Sequence, residues 1–295
     1  LFGVIVEAQL RLVERQKMRR RVRIITSENL FSDFEHAKRE GYTYGDFQFC
    51  CNSRSADFLH RGVFSCYRPE PNLEHDPQSE FELDAAQWWE LLYLAHVDKQ
   101  RAFDEYSAHY MRTDGQTYWS DEMQMSTYID DYHHEIDRRR NATCRGSEMI
   151  TEVYVPQQSI GNFLTAVRTY ARQSGTDIIY GTIRLIEADK ESFLPWAKEQ
   201  YACIIFNLHV DHCRPGIAKV ADDFRALIDI ALGFGGSYYL TYHRFATKAQ
   251  LCRAYPQFAS FLKEKLRYDP KEQFQSNWYR YYRSMFSQEL EHRAR

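Results

Sequence analysis

The sequence of 295 residues contains little glycine, and its 13 glycines are scattered along the chain. Neither the G-x-G-x-x-G pattern of dinucleotide-binding folds nor the G-x-x-x-x-G-K-[ST] pattern of P-loops occurs. In those patterns, glycine lets backbone N–H groups approach a phosphate. The sequence therefore predicts no self-contained phosphate cradle, and any nucleotide must be held partly by something else.

Other absences exclude further classes. No apolar run approaches the ~18 residues of a membrane-spanning helix, and the mean hydropathy is -0.61, which predicts a soluble protein. Lysine and arginine (38) nearly balance aspartate and glutamate (41), so no basic surface indicates nucleic acid. Seven cysteines without a C-x-x-C pair favour a reduced, cytoplasmic protein. Residue 1 is Leu, in a β-like pattern without a signal peptide, so we expect a fragment cut off at its start.

Aromatic residues are abundant, at 15% of the chain, and predict aromatic walls around a core or a ligand cavity. Residues 113–147 mix aromatic and charged residues without a clear period, which we interpret as a long loop with a helical stretch that covers a pocket. Hydrophobic periodicity and breakers predict strands over 4–12, 20–26, 42–51 and 59–67, a helix over 27–40 that Gly41 ends, and two helices between 84 and 111.

The second half of the sequence has a regular rhythm. It predicts strands over 150–155, 178–186, 202–210 and 237–240, helices over 156–174 and 217–232, and two more helices over 248–255 and 257–267. Strand, helix, strand, strand, helix, strand is the order of the split βαβ, ferredoxin-like unit. We therefore expect an α+β fold with an antiparallel sheet and flanking helices.

Polar residues within these strands are the candidates for chemistry. Side-chain alternation puts Arg184 on one face with Thr182 and Tyr180, and Asn207 on one face with His209. Each unpaired neutral polar group on a buried face costs roughly 1–3 kcal/mol, so a polar face meets water or a ligand. The alternative for each residue is an ordinary surface or core hydrogen bond. The other candidates are Glu152, Tyr242 and His243.

Two histidine-containing segments include metal-ligand residue types, at 209–213 and 133–135. Neither has the spacing of a zinc site, and adjacent histidines diverge on a helix or strand, so no metal site is expected. Cys203 lies in an apolar segment without a neighbour that would lower its pKa, so it is not expected to act as a nucleophile.

Three groups of motifs in the sequence are considered together. The opening segment 1–12 has the form Leu-x-Gly-Val-Ile, and Thr182-Ile-Arg184 is followed by Glu187-Ala-Asp189. The third group is the C-terminal series formed by segments 235–243, 254–256 and 268–278. With these motifs the chain resembles the FAD-linked oxidases of the vanillyl-alcohol oxidase and p-cresol methylhydroxylase type. It is nearest to the branch of sugar-alcohol oxidases, aldonolactone oxidases and the decaprenylphosphoryl-ribose oxidase.

The resemblance implies an organisation and a function. Residues 1–15 would be the last strand or strands of an incomplete FAD-binding domain, 16–240 the substrate-binding cap domain, and 241–295 a C-terminal segment returning to the FAD domain. The chain would supply the substrate-binding part of an FAD-dependent oxidoreductase that transfers a hydride from an alcohol-type C–H of a small substrate to flavin. The alternative is a non-catalytic domain that retains the fold and binds a small molecule or a protein.

The resemblance also assigns roles to residues. The backbone of Gly3, Val4 and Ile5 would lie against the flavin. The proposed catalytic residues are Arg184, His209, His243, Tyr242 and Asn207, and the proposed substrate-binding residues are Thr182, Glu152, Tyr118 and Trp119. The sequence departs from the sugar-alcohol oxidase pattern where it has Thr182 instead of Glu and Tyr242 instead of Lys, so the substrate need not be a polyol.

Overall fold

The computed structural model describes residues 2–77, 80–122 and 129–291. Its strands are β1 (Lys17–Thr26), β2 (Tyr44–Phe49), β3 (Arg61–Pro69), β4 (Thr117–Trp119), β5 (Gly146–Pro156), β6 (Ile178–Ile186), β7 (Tyr201–Asp211) and β8 (Ser237–Tyr238). Its helices are α1 (Leu30–Arg39), α2 (Ala85–Val97), α3 (Lys99–Arg112), α4 (Tyr132–Arg139), α5 (Ile160–Ser174), α6 (Arg214–Gly233), α7 (Lys248–Ala254), α8 (Phe258–Tyr268), α9 (Asn277–Met285) and α10 (Ser287–Glu291). The strands form one antiparallel sheet with the order β4-β1-β3-β2-β6-β7-β5-β8.

The predicted ferredoxin-like order is confirmed in the second half of the sheet. There β5, α5, β6, β7, α6 and β8 follow one another along the chain, and the strands lie in the order β6-β7-β5-β8. The first half repeats this arrangement as β4-β1-β3-β2. The two halves join where Phe47 of β2 lies opposite Ile183 of β6. The α+β fold is thus built from two units of the same strand order that share one sheet.

Side-chain alternation divides the second half of the sheet into two different faces. On one side, which we call the helix face, apolar residues of β7 such as Ile204 and Phe206 pack against Phe163 of α5 and Phe224 of α6. On the other side, which we call the polar face, β5, β6 and β7 present mostly polar side chains. The helix face therefore holds the main core, and the polar face remains for chemistry.

Helices also cover part of the other side. In the first half, Tyr110 of α3 packs against Val22 and Val63, on the side of the sheet opposite to α1. Within the described ranges no helix covers the middle of the polar face in this way, and there Ile150 is 40% exposed and Tyr180 is 38% exposed. The polar face is therefore open to solvent between its two ends.

Most sequence predictions agree with these elements to within a few residues, including the ends of α1 and α5, where Gly41 and Gly175 have positive φ angles of 85° and 68°. The strand predicted over 4–12 is wrong. Among the described residues, 2–16 form no strand, and Ile5 is 87% exposed. Alternation alone does not make a strand when no neighbouring strand accepts its backbone hydrogen bonds. Residue 1 lies outside the described residues.

The loop predicted over 113–147 is only partly one. Its first part forms β4, which pairs with β1 at the sheet edge, and its last part forms α4. Residues 123–128, which carry Met123, Met125 and Tyr128, lie outside the described residues. No helix in the described ranges is both long enough and apolar enough for a bilayer span.

Gly181 provides a test of sheet packing. A Cβ at this position would lie 2.2 Å from Cζ of Phe49 and 2.6 Å from the carbonyl oxygen of Ile205. We expect Gly181→Ala to lower the free energy of unfolding by about 1–3 kcal/mol, because the added methyl group overpacks the core. The control is Gly233→Ala at the end of α6, where nothing lies within 4 Å and stability should stay the same or rise by up to about 1 kcal/mol. Urea titration measures both, and equal stability of the two variants would contradict the packing described.

Candidate functional site

Arg184 lies on β6 directly opposite Cys203 of β7. Its side chain is exposed on the polar face, and no described residue forms a hydrogen bond or an ion pair with it. Guanidinium groups present a fork of donors that matches carboxylates and other anionic oxygens. The cation is therefore available to a ligand.

A carboxylate lies on the far side of Cys203. Oε1 of Glu152 accepts a hydrogen bond from the Tyr154 hydroxyl at 2.7 Å and another from Sγ of Cys203 at 3.0 Å. Tyr242, which is 45% exposed, lies beside the same carboxylate and contacts the ring of Tyr239 at 4.8 Å. We call Arg184, Glu152, Tyr154, Cys203 and Tyr242 the Arg184 group. Arg184 on β6 has no ion-pair partner among the described residues, and the Glu152 carboxylate is on β5, with β7 between the two strands.

The groups around Glu152 hold their protons firmly. Burial, and then the charge of Glu152, raise the pKa of the Cys203 thiol and the pKa of the Tyr154 hydroxyl. The same two causes raise the pKa of Tyr242. A thiol with a raised pKa is a poor nucleophile, which agrees with the expectation from the sequence. Glu152 is thus a hydrogen-bond acceptor surrounded by donors.

Thr182 supports the site instead of lining it. Its side chain is fully buried, and its hydroxyl donates to Oδ2 of Asp46 at 2.9 Å. Gln48 donates to the same oxygen at 2.8 Å. Burial raises the pKa of Asp46, although these two hydrogen bonds oppose the rise. The structure thus directs the Thr182 hydroxyl to Asp46, and its contact with substrate stays a prediction.

His209 lies at the opposite end of the polar face. It follows Cys203 by six positions on β7, which is about 20 Å at ~3.4 Å per residue. Its Nδ1 lies 3.3 Å from Oε1 of Glu148. Asn207 lies between the two ends, with its Oδ1 buried and without a hydrogen-bond partner in the described part of the chain. The structure therefore does not bring Asn207 and His209 together with Arg184.

His243 is not on the polar face at all. Its ring stacks on Phe224 of α6 with centroids 4.0 Å apart, and its Nε2 lies 3.3 Å from Oγ1 of Thr151. The residue is 6% exposed, and burial lowers its pKa to about 4. The structure thus places His243 in the core beneath α6, and its role as a catalytic base stays a prediction.

Tyr118 and Trp119 are also distant from Arg184. They lie on β4 at the edge of the sheet, four strand spacings from β6, or about 19 Å. Tyr118 is buried against Met18, and Trp119 stacks under Arg15 with the guanidinium carbon 4.0 Å from the ring centroid. The structure therefore does not bring these two residues together with Arg184, and their contact with substrate stays a prediction.

The segment with Gly3, Val4 and Ile5 is exposed, and its neighbour Phe2 packs against α8. Phe2 contacts Phe261 of α8, with ring centroids 5.5 Å apart. A chain of ring contacts then leads through the connection between β6 and β7 to Tyr242. It runs from Phe261 to Phe193 at 6.2 Å, from Trp196 to Tyr239 at 5.7 Å, and from Tyr239 to Tyr242 at 4.8 Å.

Sequence reasoning missed several residues of the polar face. Glu148 shares alternation with Glu152 on β5, but the predicted strand began at residue 150 and so left it out. An earlier strand start would have identified it, since it lies opposite His209 in the register. His96 comes from α2 and approaches Glu148 only through tertiary packing. Nothing in the local sequence signals that contact.

Comparisons with known proteins give only distant likenesses. No protein-family model matches the chain, and a search of curated proteins gives no match. Among solved structures, the chain is similar to a solvent-stable cholesterol oxidase, with 14% identity and a TM-score of 0.46, over 76% of this chain and 47% of that chain. It is also similar to a histidine-to-alanine mutant of the cholesterol oxidase from Brevibacterium sterolicum, with 12% identity and a TM-score of 0.42, over 72% of this chain and 46% of that chain. The chain spans about half the length of these structures.

The burial of His243 predicts a pH dependence of stability. Its folded pKa of about 4 lies below the ordinary 6.5, so the unfolded chain takes up the proton first as the pH falls. The free energy of unfolding should fall between about pH 6.5 and 4, by roughly 2–3 kcal/mol from this residue. His243→Phe keeps the ring stack and cannot ionise, so its stability should decline less steeply over that range.

Urea titrations at several pH values compare the two slopes. His36→Gln, at an exposed position on α1, is the matched control and should keep the slope of the wild type. If His243→Phe also kept that slope, the burial of a neutral imidazole under α6 would be refuted.

Proposed function

We propose that this chain is the substrate-binding part of an FAD-dependent oxidoreductase that oxidises an alcohol-type carbon of a small polar substrate. The observation that carries the proposal is the exposed Arg184 guanidinium, which has no partner among the described residues. Arg184 lies opposite Cys203, and the thiol of Cys203 donates a hydrogen bond to the Glu152 carboxylate. The motifs around Arg184 and at the chain's end, which resemble FAD-linked oxidases, support the flavin.

The residues of the Arg184 group suit the oxidation of a hydroxyl-bearing carbon. Arg184 would bind the substrate oxygen and stabilise the negative charge that develops on it. Glu152 would accept the proton of the same hydroxyl, and Tyr242 would orient the substrate from the exposed side. When bound, flavin supplies the acceptor for the hydride that leaves the carbon, so the alcohol becomes a carbonyl and the charges balance.

The family resemblance is the reason for placing the flavin beside Gly3, Val4 and Ile5. The sequence holds no glycine-rich phosphate cradle, so these residues would contact the ring and something else would hold the rest of the nucleotide. Nothing lies within 4 Å of a Cβ built on Gly3, which leaves its backbone open to a planar partner. The ring contacts from Phe2 towards Tyr242 support a ring position beside the Arg184 group.

Substitution of Arg184 tests the proposal. In the natural gene product that carries this chain, Arg184→Ala should slow flavin reduction by substrate roughly 10²–10³-fold, as expected for the loss of one charge-stabilising donor. Because the side chain is exposed, stability should change by less than about 0.5 kcal/mol. Arg184→Lys should lie between, since it keeps the charge and loses the fork. Stopped-flow absorbance of the flavin measures the rate.

The matched control is Arg168→Ala on α5, on the helix face of the sheet, which should leave the rate unchanged. Equal rates of flavin reduction in Arg184→Ala and the wild type would remove Arg184 from the site. A gene product that purifies colourless would instead favour the alternative of a non-catalytic binding domain.

Substitution of Glu152 tests the proton acceptor separately. Glu152→Gln preserves an oxygen acceptor for Tyr154 and Cys203 but cannot take up a proton at neutral pH. We expect kcat to fall roughly 10²–10⁴-fold, with little change in KM, because the loss concerns proton transfer. Glu28→Gln, at an exposed position before α1, is the control. A Glu152→Gln enzyme with wild-type kcat would show that another group accepts the proton.

A further inference from the structure

A second polar cluster lies at the end of the polar face that α2 covers. Glu148 of β5 is the centre of it, with His96 of α2 at 2.6 Å, His133 of α4 at 2.8 Å and His209 of β7 at 3.3 Å from its carboxylate oxygens. The hydroxyl of Tyr132 donates to the same carboxylate. We call these five residues the Glu148 cluster. Four separate elements converge there, and no residue of the Arg184 group takes part.

The innermost members are almost completely buried. The side chains of His96, Glu148 and His209 are 1%, 4% and 10% exposed. One ligand atom from each lies within 4.8 Å of the others. Burying a carboxylate among imidazoles is costly unless its charge is compensated inside the cluster. A cation within the cluster, either a proton on an imidazole or a metal ion, would compensate this charge.

The hydrogen bonds of His96 show where that cation must be. Its Nδ1 lies 2.7 Å from the carbonyl oxygen of Leu92, which can only accept, so Nδ1 carries the proton. In the neutral ring, Nε2 then has a lone pair directed at Oε1 of Glu148, only 2.6 Å away. A lone pair and a carboxylate oxygen repel each other at that distance. A second proton on Nε2, or a metal ion that binds both atoms from one side, would remove this repulsion.

A histidine ligand of a metal ion commonly donates its other N–H to a carbonyl or a carboxylate. His96 does so through Leu92, and Nε2 of His209 lies 3.5 Å from Oδ1 of Asp211, although Nη1 of Arg140 also approaches this nitrogen, at 3.4 Å. Gly146 makes room for the second imidazole. A Cβ at Gly146 would lie 2.5 Å from Cε1 of His209, so no larger residue leaves the ring in this position.

We propose that His96 Nε2, Glu148 and His209 Nδ1 bind one divalent transition-metal ion of the zinc type. Two imidazoles and one carboxylate are an established zinc donor set, with a fourth position for water or another residue. His133 is adjacent to that position through its contact with Glu148. The ion would tie α2 to β5 and β7, about 20 Å from Arg184 by strand rise. It is therefore separate from the proposed oxidation chemistry.

The experiment measures metal binding to the gene product after chelator treatment and dialysis. Titration with Zn²⁺ should give one ion per chain with a micromolar or lower dissociation constant, and the ion should raise the Tm. Glu148→Gln and His209→Gln should weaken binding at least 100-fold. His36→Gln, on the exposed surface of α1, is the matched control for adventitious histidine binding and should not change it.

Two further measurements keep the proposal open to refutation if a cluster variant does not fold. Co²⁺ bound by the wild-type protein should give visible d–d absorption of tetrahedral intensity, and its absence would overturn the proposal. Gly146→Ala should displace the His209 ring and weaken Zn²⁺ binding. Wild-type affinity in a folded Glu148→Gln or Gly146→Ala protein, or no bound zinc in the wild type, would mean that a proton occupies the position between His96 and Glu148.

Discussion

Side-chain alternation along β5, β6 and β7 is the constraint on which both candidate sites depend. Because successive residues point to opposite faces, Ile204 and Phe206 enter the core under the helices while Cys203 and His209 face the other way. A slip by one residue would exchange the two sets. It would force the charges of Arg184 and its neighbours under α5 and α6, so the register is fixed by the cost of burying them.

The two halves of the sheet differ in the face on which the helices before their last strand lie. These helices are α2 and α3 before β4 in the first half and α6 before β8 in the second half. This difference leaves the candidate site open. In the first half, α2 and α3 cover the face that carries Arg20. That arginine donates to Thr113 at 2.9 Å and to the Tyr67 hydroxyl at 2.7 Å, and it lies 4.6 Å from the ring of Tyr118. In the second half, α6 crosses on the helix face. Arg184 therefore has an open surface above it, where Arg20 has an aromatic cage.

The sequence could predict the second half well because its elements are local and regular. The extent of β6 over residues 178–186 follows from the pattern alone, and so does the shared face of Thr182 and Arg184. The pattern does not show which distant segments pack against each other. Which face His243 enters depends on α6, and whether the segment near Gly3 forms a strand depends on a partner strand.

The sequence therefore predicts which residues lie on the polar face better than it predicts which of them lie close together. Alternation predicts that Arg184 and His209 face the same side, and they do. It does not say how far apart along the strands they lie, because that distance depends on the pairing register between β6 and β7. Arg184 pairs with Cys203 rather than with a residue nearer His209. The register thus puts Arg184 and Tyr154 on either side of Cys203, whose thiol donates to Glu152, and it puts His209 opposite Glu148.

The two carboxylates of β5 face the same way, yet their neighbours give them opposite chemistry. Burial opposes ionisation of Glu148, but hydrogen bonds from His209 and His96 hold its pKa below the usual range. The nitrogen atoms of those two imidazoles can also bind a cation. The neighbours of Glu152 are a thiol and phenols with raised pKa values, which donate hydrogen bonds and have no strong basic site. Glu152 is therefore surrounded by hydrogen-bond donors, whereas Glu148 is surrounded by groups that can bind a cation.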